Sequence, residues 1–336
     1  MRKIITITIS ILILINVARA QDSKYTASFL EMGIGARALA MGSAYVGLSS
    51  DASGFYWNPG GLAFLKNYQA ASMYADLFGS LENQNYISVA IPIFGGATIS
   101  LAWVRLSVED IPRYAFDETS NAFQRITGSA LPLDGDAEGS FSSYDDAYYI
   151  TFAKYKRLNM NLGWQYFEVP IDFAYGANFK ILRQQIDDKT GSGLGVDLGI
   201  QVRMALSDLF DDDLYGDLSF GLNAQDLTNT EITWDTDSKH RDEVERNFKY
   251  GFAYIQPLQF IKSRFTLAYD VNSKYEGSTH FGTELLYNSI LAMRLGSNNG
   301  DFTTGAGIYF WKFQFDYAYQ SHDLGNSHRV SVLLNF

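Results

Sequence analysis

The chain has 336 residues, with 37 acidic against 26 basic side chains and a formal charge of −11. That balance excludes a nucleic-acid binder, which needs a basic face. The absence of cysteine excludes a disulfide framework and lipid attachment through a thiol. The 22 Tyr, 24 Phe and 29 Gly beside only 6 Pro are unusual for a soluble protein. They suit short strands with aromatic girdles outside and glycines on a crowded inner wall.

Residues 1–20 read as an export signal. Arg2 and Lys3 form a positive start, Ile4 to Ile15 an apolar stretch, and Ala18-Arg19-Ala20 the small residues a signal peptidase reads. The apolar stretch is shorter than the ~20 residues that span a bilayer as a helix. Gln21 stands where a lipoprotein carries Cys. Beyond it no run of about 18 apolar residues follows, so helical membrane spans are not expected.

Residues 21–67 are rich in Gly, Ala and Ser, lack strand alternation, and are too apolar for a solvated linker. Irregular backbone at membrane depth is tolerated only where protein satisfies it, so this segment is expected as a plug inside a barrel. Gly33, Gly35 and Gly42 permit conformations and close approaches that a side chain blocks. Arg37 in an interior needs carboxylate or carbonyl partners, and Asp51, Glu284 and Asp316 are candidates. Asn58-Pro59-Gly60-Gly61 reads as a turn.

From residue 68 to 336 the pattern has period two. Strands are expected at 68–78, 83–93 and 96–106, then at 144–155, 171–183, 193–206 and 217–226. A second series follows at 247–256, 262–272, 279–288 and 290–297, closing with 302–311, 312–320 and 327–336. In the clearest case Leu194, Val196, Leu198, Ile200, Val202 and Met204 share one face, and Gly195, Asp197, Gly199, Gln201 and Arg203 the other. Lys180, Arg203, Arg264 and Asp316 fall on the polar faces, as in a wet lumen. A soluble sandwich also alternates. These segments, however, approach the ~9–11 residues that a tilted strand needs to cross a bilayer. The expected fold is therefore all-β, a transmembrane antiparallel barrel of about 14 strands, with the even count that closure requires.

Outside loops fall after odd strands, which places the two long connections, 107–143 and 227–246, on the outside. Residues 156–170 and the acidic run Asp208 to Asp217 fit less well, as long periplasmic connections. Val330, Val332, Leu334 and the terminal Phe336 share one face, a final strand of the form that barrel-assembly machinery recognises. Pro92 and Pro170 lie where strand ends are expected.

Enzymatic chemistry is not expected. His240, His280, His322 and His328 form no Ser-His-acid arrangement by spacing, and the acidic run lacks the ligand spacing of a calcium loop. Gly191 to Gly195 has neither the lysine nor the following helix of a phosphate loop. No cofactor and no metal is expected.

The stretch Phe29-Leu30-Glu31-Met32-Gly33-Ile34-Gly35-Ala36-Arg37-Ala38-Leu39-Ala40-Met41-Gly42 continues through Asp51-Ala52 to Trp57-Asn58-Pro59-Gly60-Gly61-Leu62. It closely resembles the N-terminal signature of the PorV/PorQ family, within the long-chain fatty-acid transporter (FadL-like) barrel class. Gly60 replaces the family's Ala after Asn58-Pro59, a change small enough to preserve the turn. Toward the C-terminus Gly282-Thr283-Glu284, Ala292-Met293-Arg294-Leu295-Gly296, Asp316-Tyr317-Ala318-Tyr319 and His328-Arg329-Val330-Ser331 follow the family's order.

The resemblance implies the outer membrane of a Gram-negative, Bacteroidetes-like cell, with outer-membrane lipid and the assembly machinery as partners. It further implies work with a type IX translocon, receiving exported proteins by their C-terminal signal domains. The outside loops would then bind, with Trp234 as an aromatic anchor beside Asp235 and Arg241. The wider class implies instead a passive transporter of hydrophobic molecules, which needs an apolar path between plug and wall.

Overall fold

The computed structural model describes residues 26–114, 137–161, 168–274, 277–322 and 325–336. The expected export signal, most of the 107–143 connection and Asp323 lie outside them. The first seven strands are β1 (Gln69–Leu77), β2 (Glu82–Ile93), β3 (Ala97–Arg113), β4 (Gly139–Asn161), β5 (Glu168–Ile186), β6 (Lys189–Ala205) and β7 (Asp217–Gln225). A small hairpin follows, β8 (Glu231–Trp234) and β9 (Arg241–Glu243). The remainder are β10 (Asn247–Leu258), β11 (Ser263–Asn272), β12 (Thr279–Tyr287), β13 (Leu291–Asn298), β14 (Asp301–Phe310), β15 (Phe313–Gln320) and β16 (Ser327–Asn335).

Fourteen of these strands pair antiparallel in chain order, β7 with β10 across the hairpin, and β1 with β16 closes the ring. The result is a closed 14-stranded up-and-down barrel. β8 and β9 extend the sheet from the upper part of β6, where Gly191 pairs with Trp234. We call the rim where β1 begins and β16 ends the terminal end, and the opposite rim the loop end.

The faces are inverted relative to a soluble sheet. Leu101, Ile150 and Phe315 point outward and are 59%, 55% and 45% exposed, whereas Lys180, Glu284 and Arg294 point inward and are 2%, 0% and 1% exposed. An apolar outer surface around a polar interior is stable only against hydrocarbon, so the wall is that of a membrane-spanning barrel. Among the described residues no helix is long and apolar enough to cross a membrane.

Two expectations about the connections need correction. Residues 156–161 and 168–170 are strand, not connection, and pair from Lys156↔Phe173 to Asn161↔Glu168. The neighbours stop earlier, β3 at Ala97↔Lys154 and β6 at Ile171↔Met204. The β4–β5 hairpin therefore projects past the terminal end, and residues 154–161 are exposed on both faces. A strand wet on both sides has no need of apolar alternation, which hid it in the sequence. Arg264 is exposed at the terminal rim and does not line the lumen. The acidic run begins in a helical turn, Leu206–Phe210, with its carboxylates at the surface.

Candidate functional site: the N-terminal segment and the inner wall

Between residues 27 and 65 the chain forms only short turns, Ser28–Glu31, Ala36–Ala40, Gly54–Trp57 and Pro59–Phe64. None is long enough to bury a core alone, yet most of these residues are buried. Their backbone is satisfied by inward side chains from strands all around the ring. Ala36 N donates to Ser331 Oγ (3.2 Å), and Tyr45 N and Val46 N donate to Asp270 Oδ2 (2.6 and 2.7 Å). Thr303 Oγ1 donates to Ala40 O (3.2 Å), Gln201 Nε2 to Gly47 O (2.6 Å) and Ser88 Oγ to Ala52 O (2.9 Å). Asn178 Nδ2 donates to Phe55 O (2.6 Å), and Asn223 Nδ2 to Trp57 O (2.9 Å). The polar faces thus serve mainly as partners for irregular backbone that would otherwise be buried unsatisfied.

One charge network joins segment to wall. Arg37 forms two parallel bonds with Glu284, Nε to Oε2 at 2.9 Å and Nη2 to Oε1 at 2.8 Å. Arg294 donates to Glu284 Oε2 (2.7 Å) and to Asp316 Oδ1 (2.7 Å). Of the acids expected for Arg37, Glu284 makes the fork, Asp51 lies 3.8 Å away, and Asp316 belongs to Arg294. Tyr45 accepts from Arg37 Nη1 (3.0 Å) and donates to Asp51. A second network, Lys180 with Asp197 (2.9 Å) and Asp226 (2.8 Å), lies on β5–β7. Sequence reasoning placed Lys180 inward but had no signal for its partners, which meet it only across strands.

The motif residues converge. Asn58 Nδ2 donates to Val46 O (3.0 Å) and Ile200 O (2.9 Å), and its Oδ1 accepts from Gly60 N (3.1 Å), with Pro59 opening the turn between. The turn rests on the wall so closely that a Cβ on Gly199 would lie 2.3 Å from Asn58 Oδ1. Trp57 Nε1 donates to Ile34 O (3.0 Å), and Gly33 N donates to the Tyr56 hydroxyl (3.0 Å). Gly35 N lies 3.2 Å from Met73 Sδ on β1. Met41 and Gly42 press against Gly282 and Gly296 of β12 and β13.

The loop residues are engaged within their own hairpin. Trp234 packs over Gly191 and donates Nε1 to Asp242 Oδ2 (2.6 Å), Asp235 N bonds Thr190 O (2.7 Å), and Arg241 pairs with Glu231 (3.1 Å). His280 Nδ1 lies 3.1 Å from the Gly42 carbonyl oxygen, and His240 is in contact with Asp242 (3.1 Å). His328 bonds the Tyr317 hydroxyl on the outer face, and the His322 ring packs on Phe78. Among the described residues no cluster of three or more potential metal ligands occurs. On the final strand Val330 and Phe336 are exposed at 50% and 57%, with Val332 and Leu334 partly covered on the same face.

The inner wall is not uniform. On β5–β7 and β10–β16 it is dominated by polar and charged groups, including Asn178, Lys180, Asp197, Gln201, Asn223, Asp270, Glu284, Arg294 and Asp316. On β1–β4 it is mixed, with Met73, Leu77, Tyr86, Val104, Leu106 and Tyr149 beside Gln84, Ser88, Ser100, Asp146 and Thr151. Phe55 packs there against Tyr149 and Tyr86, ring centroids 5.0 and 6.3 Å apart. Behind this arc, on the lipid side, Ile87, Val89, Leu101, Trp103, Tyr148 and Ile150 rim a groove of about 360 Å³. Its floor is Ser88, Ala102 and Tyr149, whose own side chains face inward. This asymmetry was not anticipated, because alternation identifies faces but not which strands become neighbours of Phe55.

No family model matches the chain, and no curated protein does. Among solved structures it is similar to a monoaromatic hydrocarbon channel, the TodX deltaS2 mutant, at 10% identity and a TM-score of 0.48 over 90% of this chain and 99% of that one. It is similar to the Ralstonia pickettii toluene transporter TbuX, at 9% identity and a TM-score of 0.47, covering 90% and 97%. A Pseudomonas aeruginosa FadL homologue matches at 10% identity and a TM-score of 0.44, covering 87% and 96%.

Proposed function

We propose that the protein is an outer-membrane barrel of the FadL-like kind, closed by its N-terminal segment as a plug, that passes small hydrophobic molecules. The supporting observation is the cluster of Phe55 with Tyr86, Tyr149, Met73 and Val104 inside the arc of β1–β4, set back to back with a lipid-facing apolar groove. Only Ser88, Ala102 and Tyr149 separate groove from interior. The strands are continuously paired across the arc, and the first register break of β3 lies above it, between Val108 and Ile111. Exchange through the arc therefore requires a shift of Phe55 and the segment behind it.

Uptake of a hydrophobic fluorophore into proteoliposomes tests the proposal. Wild-type protein is expected to accelerate uptake over protein-free vesicles. Ala102→Trp, whose ring would project inward beside Ser88 and Tyr149 and thicken the wall behind the groove, should remove most of that gain. Equal rates with and without protein would overturn the reading.

The N-terminal motif favours a second reading, a module that receives exported proteins for type IX secretion. The strands β3–β6 support it by extending the wall at the loop end, β3 running six residues past its last partner on β2 (Ser107↔Asn83). A pull-down from outer membranes should then recover secreted proteins or a large translocon. Recovery of lipid alone would contradict it.

A further inference from the structure

At the loop end, beneath the turn Ser28–Glu31, lies a cavity of about 350 Å³ between the N-terminal segment and the rim of β11–β16. Its size falls within the roughly 300–1,000 Å³ of small-molecule sites. Arg329 lines it and is only 4% exposed. The guanidinium gives Nη1 to Gln320 Oε1 (3.2 Å), its Nε has no hydrogen-bond partner, and no carboxylate pairs with it among the described residues. A buried cation so placed is costly unless an anion compensates it. The nearby acids are otherwise occupied. Glu31 pairs with Lys274, and Asp301 contacts the far end of Gln320 at 3.5 Å.

The rest of the lining specifies more than an anion. Asn272 and Asn298 bring side-chain amides, whose donor and acceptor atoms suit hydroxyl groups, while the amide of Gln320 is engaged by Arg329 and Asp301. The rings of Phe78 and His322 meet edge to face, centroids 5.1 Å apart, and wall the cavity at one side. Apart from Phe78 only Met32 and Leu77 bring large apolar side chains, so a long alkyl chain has no track to follow.

We propose that this cavity binds a small polyhydroxylated carboxylate, a sugar acid, with its carboxylate on Arg329 and its hydroxyls on the amides and Asp301. The proposal is independent of the transport reading, because it uses the loop-end cavity and not the cluster around Phe55.

Isothermal titration calorimetry of the detergent-solubilised full-length barrel with glucuronate, glucose and acetate is the test. Glucuronate should bind saturably, with glucose and acetate at least about tenfold weaker, the value of one charge-assisted hydrogen bond. Arg329→Gln, its folding verified by heat-modifiable gel migration, should weaken glucuronate by about tenfold or more on the same grounds. If that variant does not fold, Asn298→Ala carries the test, with about a threefold or greater loss expected. No binding of glucuronate, equal binding of acetate or glucose, or unchanged affinity in the variant carrying the test would overturn the proposal.

Discussion

Replacing Glu284 with leucine is expected to lower barrel stability by about 3–5 kcal/mol, the usual cost of stripping one partner from a buried ion pair. Glu284 is fully buried and holds Arg37 of the N-terminal segment and Arg294 of β13 at once. Arg294 keeps Asp316, whereas Arg37 keeps only the Tyr45 hydroxyl and a 3.8 Å contact with Asp51. The uncompensated charge therefore falls on the segment, which should detach before the wall unfolds. Urea unfolding in lipid vesicles measures the stability, and protease sensitivity of residues 26–67 measures the detachment. Adding Arg37→Leu to Glu284→Leu should cost less than the sum of the single changes, because it removes the stranded charge. Additive costs would show that the two groups do not act together.

Gly42→Ala should be the most damaging small substitution in the segment. Gly42 has φ 63°, a region that costs an L-residue about 1–2 kcal/mol. Its added Cβ would also stand 2.4 Å from the carbonyl oxygens of Phe281 and Ser297, which are wall backbone and cannot rotate away. Gly79, in the β1–β2 turn, has φ 70° with nothing within 4 Å of such a Cβ. Gly79→Ala thus carries the conformational cost alone. The expected outcome is a modest loss of stability for Gly79→Ala and a distinctly larger one for Gly42→Ala, with loss of the segment's protease protection only in the latter. Equal losses would mean that Gly42 does not lie against β12 and β13.

Much of this architecture was legible in the residues because a membrane wall imposes period two without interruption. Leu194 to Met204 could be assigned to faces from the sequence, and all fourteen expected segments became strands of the ring. The pattern failed where lipid stopped acting. Residues 156–161 leave the wall, lose their alternation, and read as a loop although they pair to Asn161↔Glu168. The interior was readable only in part. That a buried Arg37 needs carboxylate or carbonyl partners follows from desolvation, but the choice of Glu284 over Asp316 depends on barrel register, which pairs Arg294 with Glu284 and sets Arg37 above both. Trp234 looked like a free anchor because its partner Asp242, eight residues on, is brought back by a hairpin too short to show alternation.

The most direct test of a barrel closed by its own N-terminal segment is ionic current across a planar bilayer, compared between residues 21–336, the mature protein expected from the sequence, and a variant of it lacking residues 22–67. The mature protein should conduct little, since the wall's polar groups are taken up by that segment. The shortened barrel, once its heat-modifiable folding is verified, should give a steady current through a water-filled polar lumen. A mature protein that conducts as an open pore, or a folded shortened barrel that conducts no more than the mature one, would contradict the account.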